Sequence, residues 1–172
     1  MVEERPLSDM TPFTVWIDAD ACPRLLRTLL VRATTKRKVP IIFVANTYIN
    51  IPDSPMAKVQ VVGRGDDVAD TYIVEHAHAG DLAVTQDIPL AARLLERKVA
   101  VINLHGRAYD DDSIQERLSI RAFMEEARGA GVITGGPPPF GDKEKQAFAN
   151  CFDRALTKAL RQATLKKRYS PH

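Results

Sequence analysis

Thr14-Val15-Trp16-Ile17-Asp18-Ala19-Asp20-Ala21-Cys22-Pro23 decides how the rest of the chain is read. A short apolar run ends in a carboxylate, and a proline then opens a helical pattern. From Pro23 to Arg37, Leu25, Leu26, Leu29 and Leu30 share one stripe. Four more short runs repeat the theme: Ile41 to Ala45, Lys58 to Val62, Leu82 to Thr85 and Val99 to Asn103. Near-continuous Val/Ile runs of this length suit strands covered on both faces, as in a parallel sheet. Helical patterns separate them, over Asp67 to Ala79 ahead of Gly80 and over Leu90 to Lys98, while the stretch from Ala45 to Pro55, with two prolines, reads as loop. Such alternation predicts an α/β sandwich with right-handed crossovers around a central, mostly parallel sheet of five strands.

Beyond Asn103 the texture changes. Tyr109 to Asp112 is a polar break, and Ser113 to Arg128 reads as helix. Gly135-Gly136-Pro137-Pro138-Pro139 fits neither helix nor central strand, because three prolines remove three donors; it reads as a stiff connector packed on the body. Asp142 to Lys167 returns to helix, with Phe148, Phe152, Leu156 and Leu160 on one face that needs an apolar partner. The expected division is a flexible N-terminus over 1–13, one domain over 14–165, and a basic tail over 166–172. No internal repeat is visible.

Composition narrows the class. With 172 residues and 45% hydrophobic residues, the chain is long enough for one real core. The net charge of +2, from 24 basic and 22 acidic residues, neither demands nor excludes nucleic acid, so only its distribution can speak. No apolar run approaches the roughly 20 residues of a membrane span. Met1 to Pro12 lacks the basic and apolar regions of a secretory signal, and Cys22 and Cys151 make neither a disulfide framework nor zinc spacing. The expectation is a soluble cytoplasmic protein with no membrane partner.

The carboxylates carry the chemistry. Asp18 and Asp20 end the first strand, Asp66, Asp67 and Asp70 open the helix after the third, and Asp87 follows the fourth. In an open parallel sheet these positions share one edge, where ligands bind at the reversal of strand order. If the second and third strands build outward on one side of the first and the fourth returns to its other side, Asp18 and Asp87 become neighbours. Clustered like charges repel unless a cation neutralises them, and an oxygen-only set favours Mg²⁺ or Mn²⁺. One or two such ions could activate water for phosphodiester hydrolysis. Simpler roles compete: Asp66 and Asp87 as helix caps, Asp67 and Asp70 as partners of the macrodipole, and Asp20 as a cap before Pro23. Asp18 resists such a reading, since a carboxylate ending a buried strand costs burial energy.

The phrases Trp16 to Pro23, Val44-Ala45-Asn46, Gly65 to Asp70 and Thr85-Gln86-Asp87-Ile88-Pro89-Leu90-Ala91 resemble the YaiI/YqxD family of uncharacterised bacterial proteins. Asn103 to Arg107, Arg121-Ala122-Phe123-Met124, Gly135-Gly136-Pro137 and Phe148-Ala149-Asn150 extend the resemblance from Thr14 to about Leu160. That family is regarded as PIN-like, which implies a three-layer sandwich with a C-terminal helical extension and metal-dependent nuclease chemistry on RNA or DNA, RNA favoured. The resemblance puts Asp18 and Asp87 at catalytic metal positions. Asp67 and Asp70 take the helix-borne places, with Asp20 and Asp66 beside them, and Asn46 takes the place of a small polar residue after the second strand.

Other residues are weighed beside these. Arg64, Arg107 and Arg121 could hold phosphate through forked guanidinium donors, with Asn46 in the substrate-binding set; ordinary surface ion pairs are the plainer role for arginines. Arg121 and Arg128 share a helix face. Cys22, ahead of a helix, reads as a small structural residue more than as a nucleophile. His76 and His78 face different directions from one helix, and His105 decorates a loop. Lys158, Arg161, Lys166, Lys167 and Arg168 could track a nucleic-acid backbone or form a solvated helix end. Two other functions fit part of the pattern. Asp18-Ala19-Asp20, with Thr47 and Gly65-Asp66…Asp70, imitates haloacid dehalogenase-like phosphatases, with Asp18 as nucleophile and Asp20 as acid/base; it leaves Thr85-Gln86-Asp87 without a role. The other is a non-catalytic nucleic-acid-binding module.

Overall fold

The computed structural model describes residues 13–65, 67–129 and 140–169. Strands β1 (Val15–Asp18), β2 (Ile41–Ala45), β3 (Ala57–Val61), β4 (Leu82–Val84), β5 (Ala100–Ile102) and β6 (Ala108–Tyr109) form one sheet in the order β3-β2-β1-β4-β5-β6. The first five are parallel and β6 is antiparallel to β5. β1 is central, flanked by β2 and β4, so strand order reverses across it. Helices α1 (Arg24–Arg37), α2 (Val68–His76), α3 (Ile88–Glu96), α4 (Asp111–Gly129) and α5 (Asp142–Tyr169) complete an α/β sandwich consistent with the PIN-like arrangement.

Strand periodicity assigns the two faces. Val15, Ile17, Ile41, Phe43, Leu82 and Val84 pack into the core under α1 and α5. Trp16, Ile42, Val44, Ala83 and Val101 pack into the other core, with Ile73 of α2, Leu90 and Leu94 of α3 and Ile114 of α4. α5 docks as its apolar face requires: Phe148, Phe152 and Leu156 are buried, and Leu160 packs against them. Each full burial contributes about 1.5–3 kcal/mol. Phe13, at the end of the N-terminal segment, is also buried in this core.

The sheet has six strands rather than five. Asn103 explains the extra one: its Oδ1 accepts from the backbone N–H of His105 and Arg107, and its Nδ2 donates to the Tyr109 hydroxyl. A buried asparagine thus folds the chain back as β6 where composition reads only as a polar break. Gly106 is required in that turn. Its φ is +83°, and a Cβ there would stand 2.6 Å from the Ala147 carbonyl oxygen of α5. Helix ends also differ from expectation. α2 stops at His76 and Ala77 turns extended, so His78 lies beyond the helix. α4 begins at Asp111 because Asp110 Oδ1 accepts from Ser113 N, and α5 continues through the basic residues to Tyr169. The Gly135–Pro139 connector lies outside the described residues. Among the described residues no helix is long and apolar enough to cross a membrane.

One buried carboxylate pins the seam between the central strands. Asp81, 4% exposed, accepts from the Thr14 backbone N–H, from Trp16 Nε1 and from the His78 backbone N–H. Replacing Asp81 by Ala strands those donors, each unmade buried bond costing about 1–3 kcal/mol. Asp81→Ala is therefore expected to lose roughly 3 kcal/mol, and Asp81→Asn, which keeps an acceptor, less. Urea unfolding followed by fluorescence of Trp16, the single tryptophan, reads this directly. An Asp81→Ala protein of wild-type stability would refute the clamp.

Candidate metal centre at the carboxylate edge

Parity decides which side chains meet. Asp18 follows Ile17, so it projects to the Trp16 side of the sheet, under α2 and α3. Thr85, one residue past β4, has the same parity, and its hydroxyl donates to Asp18 Oδ2 at 2.9 Å. The Asp87 backbone N–H donates to the Thr85 oxygen in turn. Asp87 caps α3, its Oδ1 accepting from Leu90 N at 2.9 Å. Asp18 and Asp87 each commit one carboxylate oxygen, leaving the second outside any hydrogen bond among the described residues. Asp70 enters from the first turn of α2.

The charges of this group feel one another. Burial raises the Asp18 carboxyl above its ordinary value; the Thr85 hydrogen bond opposes that, while Asp20 and Asp87 push further upward. Asp70 is raised to about 7, first by burial, then by repulsion from Asp87, Asp18 and Asp67, with Arg93 of α3 opposing. Asp18, Asp20, Asp67, Asp70 and Asp87 are thus electrostatically coupled at one sheet edge. Asp66 lies outside the described residues. As arranged, no three acidic, His or Cys side chains among the described residues converge on a point that one ion would occupy.

Asp20 is exposed and does not cap α1, whose N-terminal residue is Pro23 with no side-chain cap. Its Oδ1 instead lies 3.4 Å from the Asn46 backbone N–H. Asn46 Oδ1 is buried with no hydrogen-bond partner. The acceptor oxygens left on Asp18 and Asp87 and the orphaned Asn46 amide oxygen are the hard oxygen donors a divalent cation takes, although they do not converge on one point as they stand. The capping role of Asp87 coexists with that; Asp67 sits at the N-terminal boundary of α2 and makes no side-chain cap bond.

Arg64 lies exposed in the bend before α2, Arg107 is exposed in the turn before β6, and Arg121 is exposed on α4. The cation whose charge reaches Asp70 is Arg93, which sequence reading did not single out; its signal was only its place six residues after Asp87. Thr85 carries no such signal in the sequence, yet its hydroxyl links the Asp18 carboxylate to the Asp87 backbone N–H. Cys22 is buried, and its thiol is pushed up to about 12, which suits a structural residue and not a nucleophile. His76 stacks on Tyr72 with ring centroids 3.9 Å apart, and His105 lies within electrostatic reach of Glu144 on α5.

Comparison with known proteins agrees over most of the chain. The model described as an uncharacterised YaiI/YqxD family matches residues 16–158. A UPF0178 protein of Syntrophobacter fumaroxidans is 47% identical over 147 residues, covering 86% of this chain and 96% of that one. One from Bordetella petrii is 48% identical over 147 residues, covering 86% and 98%. A third, from a Shewanella species, is 44% identical over 152 residues, covering 88% and 100%. No solved structure matches.

The raised Asp70 carboxyl has a consequence for the metal-free protein. Its folded form holds the proton more tightly than the unfolded chain, so stability from this group is greatest at low pH. That stability declines as pH rises from the ordinary 3.8 towards 7. Asp70→Asn removes the decline. Melting temperatures in chelator between about pH 4.5 and about pH 7.5 should diverge, with the variant gaining on the wild type as pH rises. Parallel curves would refute the coupling.

Proposed function

The chain belongs to the YaiI/YqxD family, and from that premise and the carboxylate edge we propose that it is a Mg²⁺- or Mn²⁺-dependent nuclease hydrolysing phosphodiester bonds, in RNA by preference. The observation that carries this reading is the coupling of Asp18, Asp70 and Asp87 where strand order reverses. Three carboxylates drawn from a strand end, a helix turn and a helix cap repel one another. A structural role alone gives no reason for that arrangement.

Asp18 and Asp87 would hold the ion directly, with Asp70 and Asn46 Oδ1 beside them and Asp20 and Asp67 adding to the attracting field. When bound, a divalent cation lowers the pKa of water and stabilises charge on the phosphate oxygens. Thr85 fixes the orientation of Asp18 by donating to Oδ2, so the free oxygen keeps one direction. Asp87 is held by Leu90 N in the same way. Asp70, raised to about 7, could take up a proton near neutrality when not neutralised by a cation. Arg64 and Arg107, exposed in loops at or near the strand ends, would meet substrate phosphates.

Mg²⁺ or Mn²⁺ is expected to raise the melting temperature, by about 2.7 kcal/mol of stability at a hundred times its dissociation constant. Asp18→Asn should melt higher than wild type without metal, because one repelling charge is gone, and should lose most of the metal-dependent gain. The same variant should lose cleavage of a labelled single-stranded RNA. A wild type with no metal-dependent shift would defeat the reading. Saturable RNA binding without turnover in either metal would replace it with a binding module.

A further inference from the structure

On the opposite side of the molecule from α2 and α3, a cavity of about 340 Å³ lies between α5 and the β5–β6 edge. Its floor is apolar, formed by Ile102 and Ala108 of the sheet edge with Ala155 and Ala159 of α5. Its α5 wall presents Arg154, Lys158 and Gln162, spaced four residues apart and therefore stacked on one helix face. Lys98, in the turn before β5, stands across from them.

The charges lining this cavity are uncompensated. Among the described residues, Lys98, Arg154 and Lys158 make no ion pair and no side-chain hydrogen bond. Asp153, next to Arg154, is turned towards α1, where it lies 3.7 Å from Arg37. The one carboxylate in the lining, Asp81, already accepts from Thr14, Trp16 and His78. Three cations around an apolar floor, with the local acids engaged elsewhere, favour an anion that carries an apolar body.

We propose that this cavity binds a phosphomonoester small molecule, its phosphate held by Arg154, Lys158 and Lys98 and its apolar part laid on the Ile102 and Ala108 floor. A nucleoside monophosphate has this chemistry and this size. The site is separate from the carboxylate edge: Asp81 and Lys98 precede β4 and β5, whereas Asp87 follows β4. Occupancy there does not need a divalent cation.

Calorimetric titration of the full chain tests this with AMP, adenosine, inorganic phosphate and a 5′-hydroxyl oligonucleotide, all in chelator. AMP should bind saturably, more tightly than phosphate, and adenosine should bind least. Arg154→Gln and Lys158→Gln, both exposed positions, should each weaken AMP by roughly tenfold or more, the worth of a hydrogen bond to a charged group. Ala108→Phe, which fills the floor and keeps every charge, should weaken AMP while sparing phosphate. Asp18→Asn should leave AMP affinity unchanged. Absence of saturable AMP binding, or wild-type affinity in both charge variants, would overturn the proposal. So would an oligonucleotide that depends on Arg154 and Lys158 where AMP does not, because the surface would then follow a nucleic-acid backbone.

Discussion

The Asp81 carboxylate sets the register on which the rest of the molecule depends. β1 and β4 are only four and three residues long, so few ladder bonds hold them. Asp81 binds the start of β1 through Thr14, the face of β1 through Trp16 and the approach to β4 through His78. With the seam fixed there, Val15 pairs with Leu82 and Ile17 with Val84, and Thr85 arrives beside Asp18. A slip of one residue would turn Trp16 and Asp18 to the opposite face and separate the carboxylates. The buried charge is tolerated because it meets three donors, one of them fully buried.

From that register the negative edge follows geometrically. β1 is the strand at which order reverses, so the loops after β1 and β4 leave in opposite directions and open a crevice between them. Asp18 closes the bottom, Asp87 stands on the α3 side, and α2 brings Asp70 from above. The fold could relieve the repulsion by placing amides at these positions, since Thr85 and Leu90 N could bond an amide oxygen equally well. The carboxylates therefore cost metal-free stability, a cost that the proposed cation would offset.

Much of this was legible beforehand. Five strands, the central place of β1 and the shared edge of Asp18 and Asp87 all follow from apolar runs ending in carboxylates. β6 was not legible, because two residues carry no periodicity and their pairing depends on Asn103 reaching Tyr109 across the turn. The end of α2 was misplaced because Ala77 to Ala79 is compatible with helix locally; the tertiary bond from His78 N to Asp81 ends it. Arg93 and Thr85 were hidden for a related reason. Their roles come from packing against other elements, and a single sequence does not display that. Asp81 carries no signal in the sequence either, because its three donors come from Thr14, Trp16 and His78 only once the strands pair.

The near-neutral composition conceals a segregated charge distribution. Acidic groups gather where β1 and β4 end, under α2 and α3, while Arg154 and Lys158 gather on the α5 side near the start of β5. α5 links the two regions: its first turns pack on the Gly106 turn beyond β5, and its later turns carry the cations towards the opposite end of the sheet. The low-dielectric sheet core screens little, so the near-zero net charge is the sum of two opposed local fields that also act on one another. On the two proposals, the negative field would take a divalent cation and the positive one an anionic small molecule. Coupling between them would run through the β4–β5 pair, the Asn103 turn and α5.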